Sequence, residues 1–134
     1  MIESDQAPKY QILLAEDDEV NQDIVRAFLG SATDLDLTVV TDGRLALEAA
    51  LVNKYDLMIL DQQMPHMTGD RVLLHLRAGR SLNATTPIIR FTAAADAKPV
   101  DIRRVNGVAE ATLPKPLRKE TLLSTVRAML GPAL

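Results

Sequence analysis

Five polar residues carry side chains whose types suit chemistry on a charged group. Glu16 and Asp17 open an acidic run, Asp61 follows an unbroken apolar segment, and Thr92 and Lys115 come further along the chain. If the three carboxylates converge they repel, because two unit charges about 4 Å apart cost about 4 kcal/mol at an effective dielectric of about 20. Such a cluster requires a cation or a proton. Oxygen ligands in a chain without cysteine favour Mg²⁺ over softer metals.

The same residues could stabilise a phosphoryl group during its transfer. Such a group spreads negative charge over its oxygens, so catalysis consists mainly of positioning and charge stabilisation. The Lys115 ammonium could neutralise one phosphoryl oxygen, and the Thr92 hydroxyl could donate a hydrogen bond to another. Asp61 could act as the nucleophile and form an aspartyl phosphate. The residue types therefore predict Mg²⁺-dependent phosphoryl transfer onto Asp61.

Alternating strand-like and helix-like segments would bring these side chains together. Short apolar runs predict five strands, at residues 10–15, 36–40, 57–60, 87–91 and 108–113. Apolar residues at helical spacing predict five helices, at residues 20–29, 44–51, 68–78, 117–130 and, with the weakest apolar face, 96–105. Strict alternation indicates an open parallel α/β sheet with helices on both faces. Ligands of such sheets lie beyond the carboxyl ends of the strands, which is where the five polar residues fall.

The composition indicates one globular domain outside the membrane. A chain of 134 residues suits a single core, and 47% hydrophobic with 25% charged residues is close to the average for globular chains. The absence of cysteine excludes disulfides and thiolate metal sites. A net charge of −3 without a basic run argues against binding to nucleic acid or to anionic lipid. The polar start and the short apolar runs predict neither a signal peptide nor a membrane span, so we expect a cytoplasmic protein.

Four motifs make the sequence resemble a known family. They are ILLAEDDEVN at 12–21, LMILDQQMPHMTG at 57–69, IIRFTA at 88–93 and LPKP at 113–116. They are similar to the motifs of receiver domains, which occur in two-component response regulators and hybrid histidine kinases. The intervals match as well, with 44 residues from Asp17 to Asp61, 31 more to Thr92 and 23 more to Lys115. Each motif alone is weak to moderate, but four in order form a specific signal, and the resemblance covers residues 10–130.

The resemblance implies a particular fold and domain organisation. The fold would be a flavodoxin-like (βα)5 doubly wound parallel sheet with strand order 2-1-3-4-5, in a single domain. Residues 10–131 would form the receiver domain, between an N-terminal tail at 1–9 and a C-terminal tail at 132–134. Receivers of this family also hold the lysine–proline bond cis, which would fix the direction of Lys115.

By position, the resemblance also implies a Mg²⁺ site. Asp17 would bind the ion directly, while Glu16 would act mostly through a water molecule. Asp61 would be both the phosphoacceptor and a metal ligand. The backbone carbonyl of Gln63 would complete the protein ligands.

Thr92 and Lys115 match the switch hydroxyl and the lysine beside the phosphate in this family. Two nearby positions depart from the usual pattern. Thr112 stands where many receivers carry Tyr or Phe, so the common aromatic rotamer switch is unavailable. Pro114 precedes the lysine, removes a backbone donor and stiffens the loop.

The resemblance implies a phosphorelay switch and not a turnover enzyme. A histidine kinase, a histidine phosphotransfer domain or a parent kinase in the same polypeptide would donate the phosphoryl group to Asp61. The chain would catalyse its own phosphorylation and slow dephosphorylation, and the surface around the predicted helix 96–105 would shift. One alternative is a pseudo-receiver that binds partners without phosphate, which Thr112 and Pro114 favour. An aspartate-nucleophile phosphatase is disfavoured, because Gln63 replaces the second aspartate of the motif in such enzymes.

Overall fold

A computed structural model describes residues 8–78, 81–93 and 101–131, so the predicted tails fall mostly outside the described residues. This part of the chain holds six strands: β1 Tyr10–Ala15, β2 Leu35–Val40, β3 Leu57–Asp61, β4 Ile88–Thr92, β5 Asp101–Val105 and β6 Val108–Pro114. It also holds four helices: α1 Glu19–Leu29, α2 Gly43–Val52, α3 Gly69–Ala78 and α4 Lys119–Leu130. Among these residues, we find no helix with both the length and the apolarity to cross a membrane.

All six strands belong to one sheet with the order β2-β1-β3-β4-β6-β5. The pairs from β2 through to β6 are parallel. With β6 counted as the fifth parallel strand, this is the predicted order 2-1-3-4-5, and the flavodoxin-like single-domain class is confirmed. β1 and β3 are neighbours at the centre, with Ala15 opposite Leu60. The residues that follow these two strands therefore leave the sheet at the same edge.

Two apolar cores lie on the two faces of the sheet. Ile59 and Phe91 belong to the core that α1 and α4 cover. Met58 and Leu60 belong to the core that α2 and α3 cover. The whole of β3 is buried, which explains why it reads as a continuous apolar run and not as an alternating one.

One predicted element was wrong. The apolar spacing predicts a helix at 96–105, but 101–105 form β5, which pairs antiparallel with β6. Residues 96–100 lie outside the described part of the chain. The hairpin forms instead of a helix because the dipeptide Asn106-Gly107 lies between the two strands. Both residues have positive φ, 52° and 82°, the backbone that a two-residue hairpin turn requires and that Asn-Gly adopts most readily. This local signal is stronger than the weak helical spacing of three apolar residues before it, and it gives the sheet six strands where we predicted five.

β4 and β6 carry polar side chains on one face of the sheet. Alternate side chains of β4 and β6, such as Phe91 and Leu113, enter the core under α1 and α4. The intervening residues therefore point to the opposite face, and most of them there are polar: Arg90, Thr92, Glu110 and Thr112. The polar residues of β4 and β6 are therefore neighbours on one face of the sheet, where the register places Arg90 opposite Thr112.

Candidate functional site

The three predicted acidic ligands come together at the carboxyl edge of the central strands. Glu16 and Asp17 follow β1, and Asp61 is the last residue of the neighbouring β3. One carboxylate oxygen from each residue lies within 4.8 Å of those from the other two. Glu16 and Asp61 are buried, whereas Asp17 is exposed. The cluster therefore has a buried floor and one ligand open to solvent.

Glu16 is held from several sides although it is fully buried. Its Oε1 accepts hydrogen bonds from the backbone N–H of Asp18 (3.2 Å) and from Nδ2 of Asn21 (3.3 Å). Its backbone carbonyl accepts a bond from Nε2 of Gln22 at 2.7 Å. Asn21 and Gln22 lie in the first turn of α1, so this helix fixes the carboxylate. The sequence predicts no role for either residue, although Asn21 ends the motif at 12–21 and Gln22 follows it.

The other carboxylate oxygen of Glu16 has no hydrogen-bond partner among the described residues. This atom, Oε2, is buried. Burial and the nearby charge of Asp61 raise the pKa of Glu16 to about 7, against the opposing effects of Lys115 and of the hydrogen bonds. The protein alone therefore stabilises the ionised carboxylate only weakly.

Asp61 is positioned by its strand and by a close approach of α3. Its Oδ1 accepts a hydrogen bond from the backbone N–H of Gln63 at 3.2 Å. Gly69 opens α3 so close to the strand that an added Cβ would lie 2.9 Å from the backbone oxygen of Asp61. A side chain at position 69 would push the helix away from the backbone of Asp61. This close approach explains why the motif at 57–69 ends in glycine.

Lys115 reaches the cluster from the end of β6. Its backbone N–H donates to the carbonyl oxygen of Thr92 at 2.8 Å, and the following Lys115–Pro116 bond is cis, as the resemblance implied. Its Nζ lies 3.1 Å from Asp61 Oδ1 and 3.6 Å from Glu16 Oε2. Its side chain is 21% exposed, so the ammonium is only partly screened by solvent.

The remaining predicted residues occupy the rim of the site. Thr92 ends β4, one residue beyond Phe91, which is opposite Asp61 in the sheet register. Thr92 lines a cavity of about 230 Å³ together with Gln62, Asp70, Arg90 and Thr112. Gln63 is exposed and lies two residues after Asp61, and its backbone N–H is the group that contacts Asp61 Oδ1.

The donor set fits a small, hard divalent cation such as Mg²⁺. Fully ionised, the three carboxylates and the ammonium of Lys115 carry a net charge of −2, which one such ion would neutralise. Oxygens that share one Mg²⁺ at about 2.1 Å lie roughly 3 to 4 Å apart, so a spread of 4.8 Å requires only small side-chain movements. The oxygen of Glu16 without a donor supports the same conclusion.

The raised pKa of Glu16 predicts how the metal-free protein responds to pH. Between the ordinary value of 4.5 and about 7, the folded chain holds a proton that the unfolded chain has released. This stabilisation is present at low pH and is lost as pH rises through about 7. We therefore expect the Tm of the metal-free protein to fall between about pH 6 and about pH 8, and Mg²⁺ to raise it more at the higher pH.

Thermal unfolding of Glu16→Gln beside the wild type checks this. Glutamine keeps the shape and has no proton to lose, so most of the fall should disappear. Glu120→Gln, which removes an exposed carboxylate in the first turn of α4, controls for the change in net charge. An identical pH profile in the wild type and in Glu16→Gln would contradict the prediction.

Comparisons with known proteins agree with this geometry. A family model for the response regulator receiver domain matches residues 12–127. The regulatory protein VanRB of Enterococcus faecalis is 37% identical over 120 residues, which are 90% of this chain and 52% of that protein. The two-component response regulator ORR41 of Oryza sativa subsp. japonica is 32% identical over 116 residues, which are 84% of this chain and 87% of that protein. The chain spans about half the length, or less, of VanRB and several other relatives.

A solved structure is similar over nearly the whole described fold. It is the receiver domain of a sensor histidine kinase from Pseudomonas aeruginosa PAO1, with a magnesium ion coordinated in its active site cleft. The two structures superpose with a TM-score of 0.77 at 28% identity, over 92% of this chain and 99% of that one.

Proposed function

This chain belongs to the response regulator receiver domain family, and on that premise we propose that Asp61 accepts a phosphoryl group from a phosphohistidine in the presence of Mg²⁺. The phosphorylated chain would then present a changed surface to a partner. The observation that carries the proposal is the position of Asp61 Oδ1, 3.1 Å from the Lys115 ammonium and inside a cluster of three carboxylates. A carboxylate placed there has both a charge partner and a metal site beside it.

The proposed metal site uses the acidic cluster and one backbone group. Asp17 and Asp61 would bind Mg²⁺ directly, Glu16 mostly through water, and the carbonyl of Gln63 would be the remaining protein ligand. When bound, Mg²⁺ would offset the charge of the carboxylates and of the phosphoryl oxygens. The Mg²⁺-bound receiver of the Pseudomonas kinase supports this assignment.

In the proposed transfer, an oxygen of Asp61 attacks phosphorus while the bond from phosphorus to the donor imidazole breaks. The bond electrons return to the imidazole nitrogen, and a mixed anhydride forms on Asp61. The Lys115 ammonium neutralises charge on one phosphoryl oxygen, and the Thr92 hydroxyl donates to another. Slow attack of water on the anhydride restores Asp61. The chain therefore hydrolyses only the phosphoryl group that it carries itself.

The proposed partners follow from the need for a phosphohistidine. The donor would be a histidine kinase, a histidine phosphotransfer domain or a parent kinase in the same polypeptide, in the cytoplasm. No direct contact with nucleic acid or membrane is proposed. The receiver would comprise residues 10–131, with short tails at 1–9 and 132–134.

A pseudo-receiver that binds its partner without phosphate is the second candidate. Thr112 favours it, because it replaces the aromatic residue of the usual output mechanism. Pro114 favours it, because it removes a backbone donor and stiffens the loop before Lys115. The intact acidic cluster and Lys115 oppose it. Mg²⁺ affinity separates the two: a pseudo-receiver has no use for the ion, whereas a phosphoacceptor requires it.

Intact-mass spectrometry tests the proposed function. We expect acetyl phosphate with Mg²⁺ to add about 80 Da, the mass of one phosphoryl group, and we expect EDTA to prevent the addition. The donor is a small molecule, so no partner protein is required. A chain that stays unmodified while a known receiver is labelled in the same tube would contradict the proposal.

A further inference from the structure

A row of polar side chains leads from the proposed phosphoacceptor to the β5–β6 hairpin. Its first member is Gln62, the residue after Asp61. Gln62 Nε2 donates to Asp70 Oδ2 at 2.6 Å, and Arg90 donates to the other oxygen of Asp70 at 2.9 Å. Asp70 thus joins the loop after β3 to the middle of β4.

The row continues from β4 to the hairpin. Nη2 of Arg90 lies 3.9 Å from Oε1 of Glu110 on β6. Nε of Arg77, on α3, lies 3.8 Å from Oε2 of the same Glu110. Glu110 is 8% exposed, so it depends on these cations. In the sheet register it lies opposite Arg103 of β5. We call Gln62, Asp70, Arg90 and Glu110 the Arg90 row.

Two features distinguish the Arg90 row from ordinary surface ion pairs. Arg90 stands in mid-strand, two residues before Thr92 and on the same face, with a side chain only 29% exposed. The cavity of about 230 Å³ beside it is lined by Thr112, where an aromatic switch residue would fill space in many receivers. The Arg90 row therefore lies between the site and the edge of the sheet, in the region where an aromatic ring at position 112 would otherwise pack.

We propose that the Arg90 row transmits the phosphorylation state of Asp61 to the β5–β6 hairpin; this rests on the proposed function and specifies how it is regulated. Phosphorylation draws Thr92 and the loop at Gln62 toward the new dianion. Both are connected to Arg90, one through the strand and one through Asp70. The tightened row holds Glu110 and, with it, the hairpin in one of two arrangements.

Hydrogen exchange of the hairpin amides, measured with and without phosphorylation by acetyl phosphate and Mg²⁺, tests the proposal. In the wild type we expect phosphorylation to slow exchange at 102–110 by roughly 2- to 30-fold, the range for coupling between linked sites. In Asp70→Ala this ratio should fall to about 1, because the row is interrupted. Asp70 has a side chain 56% exposed, so its loss leaves the cores intact.

Asp23→Ala is the matched control. Asp23 is also an exposed helical aspartate paired with an arginine, Arg26 at 3.3 Å, but it lies on α1 away from the row. This variant should keep the full hairpin response. Arg90→Met, which breaks the row at its centre, should lose it as Asp70→Ala does.

The possible results distinguish a failure of the Arg90 row from a failure of the proposed phosphorylation of Asp61. A wild type that forms no adduct would overturn both. An adduct without any change at the hairpin, or an equal change in Asp70→Ala and in the wild type at matched phosphorylation, would overturn the Arg90 row alone. A response lost in Asp70→Ala and kept in Asp23→Ala would support it.

Discussion

Asp61→Asn should form no covalent adduct with acetyl phosphate and Mg²⁺ under conditions that label the wild type. The amide that replaces the carboxylate is not a nucleophile and cannot form a mixed anhydride. The fold should survive, because Asn is isosteric and its introduction removes one of three converging negative charges. We expect the metal-free variant to unfold at or above the wild-type temperature, so that lost labelling reports lost chemistry.

Asp42→Asn provides the matched control for that variant. Asp42 lies at the same edge of the sheet and caps α2, where its Oδ1 accepts from the backbone N–H of Leu45 at 2.8 Å. Asn caps a helix as well as Asp does, so this protein should label at the wild-type rate. An adduct on Asp61→Asn of the same mass and yield as on the wild type would show that the acceptor is another residue.

Lys115→Met should slow phosphorylation by about 100-fold, the usual effect of removing one preorganised group that stabilises charge in the transition state. Methionine keeps the length and apolar stem of lysine and removes only the ammonium. That ammonium is 3.1 Å from Asp61 Oδ1, close enough to contact a phosphoryl oxygen when Asp61 attacks phosphorus. The rate of adduct formation at saturating Mg²⁺, followed by intact mass, gives the measurement.

Lys54→Met controls for the loss of a hydrogen-bonded lysine. Lys54 donates to Thr86 Oγ1 at 2.9 Å and precedes β3, at the opposite end of the sheet from Lys115. We expect its phosphorylation rate to stay within about twofold of the wild type. A rate for Lys115→Met within the same range would remove lysine from the proposed mechanism.

Most of the fold could be predicted because periodicity and alternation reflect burial directly. β3 is apolar throughout because both of its faces are covered, and the helices show the spacing of their buried faces. The hairpin was not predicted because the apolar residues before its turn also have helical spacing. Asn106-Gly107, between Val105 and Val108, was the decisive signal, and its two positive φ angles explain why.

The central site was predictable for a topological reason. Residues that directly follow neighbouring parallel strands share one edge, so Glu16, Asp17 and Asp61 could be placed together without coordinates. The supporting contacts could not. That Asn21 contacts Glu16 depends on the side-chain directions at the start of α1, which sequence spacing alone does not specify.

The Arg90 row was also beyond the reach of the sequence. Its contacts join residues 8 and 20 positions apart, from Gln62 to Asp70 and from Asp70 to Arg90, and they exist only once β3, β4 and α3 are packed. An arginine inside an apolar strand was nevertheless visible in the motif IIRFT. A charged residue at such a position indicates that one face of the strand is polar, which agrees with the contacts of Arg90 with Asp70 and Glu110.

The claim on which the function rests is that phosphorus becomes bonded to Asp61. Borohydride reduction of the labelled protein tests it most directly, because an aspartyl phosphate is reduced to homoserine while a free carboxylate is not. We predict homoserine at position 61 in the tryptic peptide of residues 55–71, and only after treatment with acetyl phosphate and Mg²⁺. An unreduced Asp61 in fully labelled protein, or phosphate found instead on His66 or His75, would contradict the account.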